Sequence, residues 1–124
     1  MCDHEYPFFS HDELKCKGSG ECKMNNRFMT KLVSLRRLYD KPMIITSAYR
    51  SEEYNEKIKG SKGSAHVKGQ AVDISINRKE AFKLLKLALE LGFTGIGVSQ
   101  KGQGRFLHLD TLDDPSLRPT IWSY

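Results

Sequence analysis

Apolar residues in this chain recur with two periods, and the switches between them outline its elements. From residue 25 to 39, Phe28, Leu32, Leu35 and Tyr39 fall at helical spacing. Asn25 or Asn26 can cap the first turn, and Asp40-Lys41-Pro42 ends the helix because a proline disfavours helical backbone in the residue before it. "MIITS" (43–47) reads as a short buried strand, and "SEEYNEKIKG" (51–60) as a short helix closed by Gly60. Residues 71–76 alternate, with Val72, Ile74 and Ile76 opposite Ala71, Asp73 and Ser75, which predicts a strand. A second amphipathic helix follows to Leu91. Asn77 and Glu80 are spaced as its capping box, Ala81, Leu84, Leu85, Ala88 and Leu91 form its apolar face, and Gly92 stops it.

"GIGVS" (95–99) and "RFLHLD" (105–110) are two further strands joined by the glycine-bearing connection "QKGQG". Residues 1–24 read as an irregular arm with one helical turn at "SHDELK", where Ser10 can cap and Glu13 lies three residues on. "DDPSLRPTIWSY" reads as an irregular tail whose Trp122 folds back on the core. Together these elements predict an α+β fold, a small antiparallel sheet with helices packed on one face. The 124 residues fit one domain spanning 1–124.

Composition narrows the reading further. Only 39% of residues are apolar, but they cluster in the periodic segments, so a folded chain is expected rather than a disordered one. No apolar run is long enough to span a bilayer, and a monomer without membrane insertion is expected. The first 15 residues carry no basic region followed by an apolar stretch. No signal peptide is therefore expected, and the protein is read as cytoplasmic when synthesised. An odd count of 3 cysteines in a reducing compartment argues against a structural disulfide; Cys16 and Cys22 are read as small buried thiols rather than metal ligands. The net charge of +5 admits an anionic partner. The basic residues are scattered, with no stripe of interleaved aromatics, so nucleic acid is not the expected partner.

The candidate chemistry comes from the polar faces of two strands. In "RFLHLD", Phe106, His108 and Asp110 share one face, opposite Leu107 and Leu109. Asp73 likewise lies opposite the apolar face of its strand. If both strands belong to one antiparallel sheet with one core, Asp73 and His108 project from the same non-core face. His66 sits in the loop feeding the first strand. Two imidazoles and a carboxylate make a three-ligand zinc site with its fourth position open to water, which is the catalytic arrangement. Spacing alone leaves open the alternative that these are ordinary polar surface residues.

"SAHVKGQAVDI" (64–74) resembles the S-x-H-x-x-G-x-A-x-D signature of the zinc D-Ala-D-Ala carboxypeptidase and L-alanyl-D-glutamate endopeptidase family of cell-wall enzymes. "ITSAYRS" (45–51) is similar to that family's substrate-binding segment, and "FLHLD" (106–110) to its second zinc motif. The three occur in the family's order. The resemblance implies a hedgehog/D-Ala-D-Ala peptidase-like fold with Zn2+ held by His66, Asp73 and His108 on the face away from the helices. It implies that Arg50 binds a substrate carboxylate or carbonyl, with Tyr49 and Ser64 also contacting substrate, and that the partner is a peptidoglycan stem peptide. The implied activity is hydrolysis of that peptide, in phage lysis or cell-wall remodelling, on the wall after release from the cytoplasm.

One position departs from the pattern. Many family members carry Glu or Asp three residues before the last zinc histidine, as general base. Here that residue is Arg105, which cannot take a proton at working pH. Asp110 is the nearest replacement as catalytic base; its alternative role is to orient a ligand imidazole or Arg50. Asp113 and Asp114 lie in a turn context, and His4 and His11, in the arm, are not assigned to the site. The missing base keeps open a non-catalytic reading, a zinc-containing wall-binding or virion structural module.

Overall fold

A computed structural model describes residues 2 and 4–124. In chain order the elements are α1 (His11–Leu14), α2 (Asn26–Tyr39), β1 (Ile44–Ser47), α3 (Glu52–Lys57), β2 (Ala71–Ser75), α4 (Arg78–Glu90), β3 (Gly95–Ser99), β4 (Phe106–Asp110) and β5 (Thr120–Ser123). The strands form one 5-stranded sheet in the order β1-β2-β4-β3-β5.

The first three pairings are antiparallel, but β5 runs parallel to β3. The fold is α+β as expected, yet the sheet is mixed rather than antiparallel, and the tail ends in a strand. The reason lies in the connection. β4 ends with Asp110 beside Gly95, the first residue of β3, and the loop 111–119 crosses that same edge to set Thr120 beside Gly95. β5 therefore runs antiparallel to β4 and parallel to β3, with no crossover helix.

Local signals explain most of the element ends. Ser10 Oγ accepts from the Glu13 N–H, and the Glu13 carboxylate accepts from the Ser10 N–H, completing the capping box of α1. Asn25 Oδ1 accepts from the Phe28 N–H and caps α2. Phe28, Met29, Leu32, Val33 and Leu35 of α2, with Ala81, Leu84 and Ala88 of α4, join Val72, Ile74, Ile96, Leu107 and Leu109 of the sheet in one core. Each large side chain fully buried there contributes about 1.5–3 kcal/mol. Phe28 and Phe93 meet edge to face at 6.0 Å between ring centroids.

Three boundary expectations are corrected. "MIITS" is an edge strand, with Ile44 64% exposed and Met43 carrying the burial. The left-handed residue after α3 is Lys59 (φ 59°), not Gly60. Asn77 makes no side-chain cap to α4; Glu80 instead accepts from Tyr39 Oη and Lys41 Nζ, both at 2.7 Å, tying α4 to the end of α2.

The arm also departs from expectation. Cys2 and Cys22 form a disulfide, while Cys16 is free and buried. The path of the arm sets the Cα atoms of Cys2 and Cys22 4.6 Å apart, which their separation of 20 residues does not announce. Phe9, Leu14, Cys16, Cys22 and Met24 pack into the main core. The arm then braces two later segments. Tyr49 N–H donates to the Leu14 carbonyl, Ser51 N–H to Cys16 Sγ, and Asn25 N–H to the Gly69 carbonyl. Gly69 has φ 68°, and a Cβ there would strike the Lys23 carbonyl oxygen, so glycine is what lets loop and arm lie together. Among the described residues, no helix is long and apolar enough to cross a membrane.

Candidate metal centre

The register of β2 against β4 sets Asp73 directly opposite His108, flanked by the pairs Ala71–Asp110 and Ser75–Phe106. Val72 and Ile74, with Leu107 and Leu109, point the other way into the core. The polar face is thus the complement of the face the helices cover. His66 comes from successive tight turns over residues 64–70, whose carbonyls at Ser64, Ala65 and His66 accept from N–H groups three residues on. His66 N–H donates to Ser64 Oγ, and the His66 carbonyl accepts from Arg50 N–H, which pins this loop to the segment after β1.

His66 Nε2 lies 3.3 Å and His108 Nδ1 3.0 Å from the same oxygen, Asp73 Oδ1. The three ligand atoms all fall within 4.8 Å of one another. Donors at about 2.0–2.1 Å from a tetrahedral zinc stand about 3.3 Å apart, so the spacing suits a small divalent ion. The other nitrogen of each ring is engaged from behind. His66 Nδ1 lies 2.7 Å from the Ala48 carbonyl, and since a carbonyl only accepts, Nδ1 carries the proton and donates. His108 Nε2 lies 2.7 Å from Asp110 Oδ2 and donates to it. Both tautomers therefore turn a lone pair toward Asp73. Three acceptors facing one point repel unless a cation or a proton sits among them.

The titration behaviour follows from this arrangement. When protons rather than a cation sit among these atoms, the imidazoles donate to Asp73: burial alone would raise its carboxyl, but hydrogen bonds from His108 and His66 outweigh it and hold the group well below the usual carboxylate range. Burial would lower His108, but the carboxylates of Asp110 and Asp73 raise it above the usual imidazole value. Burial would likewise raise Asp110, and its bonds from His108 and Arg118 bring it down to about 2.

Asp110 lies on the predicted face but is fully buried. Arg118 clamps it with two parallel bonds, Nε to Oδ1 at 2.9 Å and Nη2 to Oδ2 at 2.7 Å, and Leu112 N–H adds a third donor. Gly95 makes room for it, since a Cβ there would collide with the carboxylate. Asp73 and Asp110 are the only carboxylates among the described residues lining the two cavities at the site. The first cavity, about 290 Å³, is lined by Arg50, Lys59, His66, Asp73, Phe106 and Tyr124. The second, about 280 Å³, adjoins it through Ser61, Ser64 and His108 and reaches Asp110, Arg118 and Trp122.

Arg50 is fixed by Ser47 Oγ and Asn55 Oδ1, both at 3.2 Å, and lies 3.6 Å from Asp73 Oδ2. Tyr49 is not brought to the site. It is buried in the core beside the arm, because successive side chains of this extended segment alternate and Arg50 takes the side facing Asp73. Trp122 does not return to the core; its ring packs 5.0 Å from that of His108, with the Arg118 guanidinium 5.3 Å from its centroid. Arg118 and Tyr124 went unread in the sequence. The alternation of Thr120, Trp122 and Tyr124 against Ile121 and Ser123 was the available signal.

Among curated proteins, none matches the chain significantly. The sequence profile of a family described as Peptidase M15 matches residues 7–110, which takes in the arm's helical turn, Arg50, His66, Asp73 and His108, and ends on Asp110. The chain belongs to the peptidase M15 family, the zinc D-Ala-D-Ala carboxypeptidase-type metallopeptidases.

Proposed function

We propose that the protein is a zinc-dependent hydrolase of peptidoglycan stem peptides, with His66, Asp73 and His108 as the metal ligands. The observation that carries this reading is the convergence of three acceptor atoms whose imidazoles are each held from behind by a second acceptor. Bound there, zinc supplies Lewis-acid polarisation of a carbonyl and a water whose pKa is near 7.

The chain's own groups supply binding and orientation. Arg50, immobilised by Ser47 and Asn55, presents a planar fork to a substrate carboxylate, and Lys59 adds positive charge to the same cavity. Stem peptides carry such groups at the D-Glu residue and at the terminal D-Ala, so cleavage next to either is compatible with Arg50. Phe106, Trp122 and Tyr124 give the groove aromatic surface that excludes water around the polar centre. Ser64 caps the His66 loop. Asp110 is a positioning residue for His108, since its oxygens are occupied by Arg118, His108 and Leu112. The net charge of +5 suits adhesion to an anionic wall, in phage lysis or in remodelling of a bacterium's own envelope.

A second reading rests on Arg105 and the clamped Asp110, which leave no unpaired carboxylate among the described residues lining the groove. It is a zinc-containing module that binds wall without cutting it. Incubating the protein with purified peptidoglycan, with and without chelator, separates the two. Chelator-sensitive release of fragments with new D-Glu amino termini, or of free D-Ala, is the expected result and names the bond. Tight binding with no fragments in either condition rejects the hydrolase.

Arg50→Lys keeps the charge but loses the paired geometry. A hydrogen bond to a charged group is worth about 1.5–3 kcal/mol, so KM is expected to rise about 10- to 100-fold. Metal content should not change. A rise in KM of less than twofold would remove Arg50 from the substrate site.

A further inference from the structure

The N-terminal arm holds a second cluster of metal-ligating groups, away from the peptidase groove. The sulfurs of Cys2 and Cys22 and one imidazole nitrogen of His11 all lie within 4.8 Å of one another. His11 Nδ1 is buried and has no hydrogen-bond partner among the described residues. A cavity of about 230 Å³ opens beside them, and His4 and Glu5 also line it. A buried, unbonded nitrogen on a histidine whose ring lies this close to a pair of sulfurs has no structural explanation in the disulfide state alone.

We propose that Cys2, Cys22 and His11 form a second, redox-gated metal site that takes a zinc-class divalent ion when the disulfide is open. Thiolate and imidazole donors of this kind suit a borderline-soft ion, and His4, Glu5 or water can fill the fourth position. The chemistry balances as follows. A dithiol reductant of the cell gives two electrons and two protons to the Cys2–Cys22 bond, yielding two thiols and an oxidised reductant. The ion then displaces the two thiol protons and binds two thiolates and His11. In an oxidising compartment the disulfide ties the arm, and in a reducing one the metal does.

The tie matters to the peptidase groove because the arm holds its two walls. Leu14 and Cys16 accept from the backbone on either side of Arg50, and Asn25 donates to the end of the His66 loop. Loss of both ties, by reduction without metal, is expected to loosen those segments.

The test uses Co2+ as probe on the full chain, stripped of metal and kept anaerobic. Reduced protein is expected to bind two equivalents and to show a thiolate-to-cobalt charge-transfer band in the near ultraviolet. Oxidised protein is expected to bind one equivalent without the band. The peptidase centre has no thiolate, so the band reports the arm alone and should persist in Asp73→Ala, which keeps this inference separable from the proposed function. Cys22→Ser should abolish the band while retaining one equivalent, and this also excludes Cys16 as its source. His11→Gln should weaken the banded site at least about 10-fold, since even groups behind a ligand contribute about 10- to 100-fold. A reduced chain that binds one equivalent with no band overturns the proposal. So does a band that survives Cys22→Ser, or an affinity unmoved by His11→Gln.

Discussion

Asp73→Ala is expected to lose the bound divalent ion and peptidase turnover together. Asp73 Oδ1 is the shared neighbour of both imidazole nitrogens, at 3.3 and 3.0 Å, so its removal leaves two donors with no anion between them. Two neutral imidazoles are a poor zinc site, because the carboxylate supplies both the third bond and the only negative charge in the set. Metal ions contribute several kcal/mol of transition-state stabilisation, and each 1.36 kcal/mol is tenfold in rate, so turnover should fall by about 10³ or more. Elemental analysis, release of wall fragments and circular dichroism are read on one preparation. The substitution also removes the partner of Arg50 and the acceptor that raises His108, so unchanged dichroism is the control that attributes the loss to the ion. A folded Asp73→Ala protein that keeps one equivalent of metal and its rate would discard the ligand assignment.

How much of this site could be read beforehand follows from which interactions are local. β2 and β4 are central strands with one face buried in the core they share with α2, α4 and the arm, so their alternation is clean, and it exposed Asp73 and His108 as residues on the wrong face for a core. Ser10 with Glu13, and Asn25 with Phe28, were legible because a cap is made within one turn of chain. What depends on distant partners was not. β5 exists only because the loop 111–119 delivers it to β3, and its exposed Ile121 gives it no buried face to announce. Glu80 was read as half of a capping box, yet two groups from α2 and its following turn take its carboxylate. The Cys2–Cys22 pairing depends on the arm's route. Arg118 looked like any tail arginine, although it neutralises a fully buried carboxylate.

That carboxylate carries the second large expected effect. Arg118→Ala leaves Asp110 buried and charged with only His108 and one backbone N–H against it. Removing one partner of a buried pair costs about 3–5 kcal/mol, a large share of the roughly 5–15 kcal/mol that holds a domain of this kind together. Urea unfolding should show the loss as a lower midpoint at unchanged slope. Asp110→Asn is expected to be milder, because it removes the charge along with its neutralising need, and Arg118, partly exposed, can turn to water. The two variants also differ in acid. Asp110 is held at about 2, below its unfolded value, so its contribution is complete above about pH 4 and is lost as pH falls through 2. That contribution is worth about 2 kcal/mol, and the difference between wild type and Asp110→Asn should shrink by that amount on acidification. Catalysis then separates the two roles open to this residue. If Asp110 took a proton from the attacking water, Asp110→Asn would bind zinc as wild type does and stay slow at any zinc concentration. As the group behind His108, its loss should weaken zinc about 10- to 100-fold, and saturating zinc should restore most of the rate. The clamp of Arg118 on both carboxylate oxygens favours the second outcome, since an acceptor already filled by a guanidinium and an imidazole has little basicity left to lend.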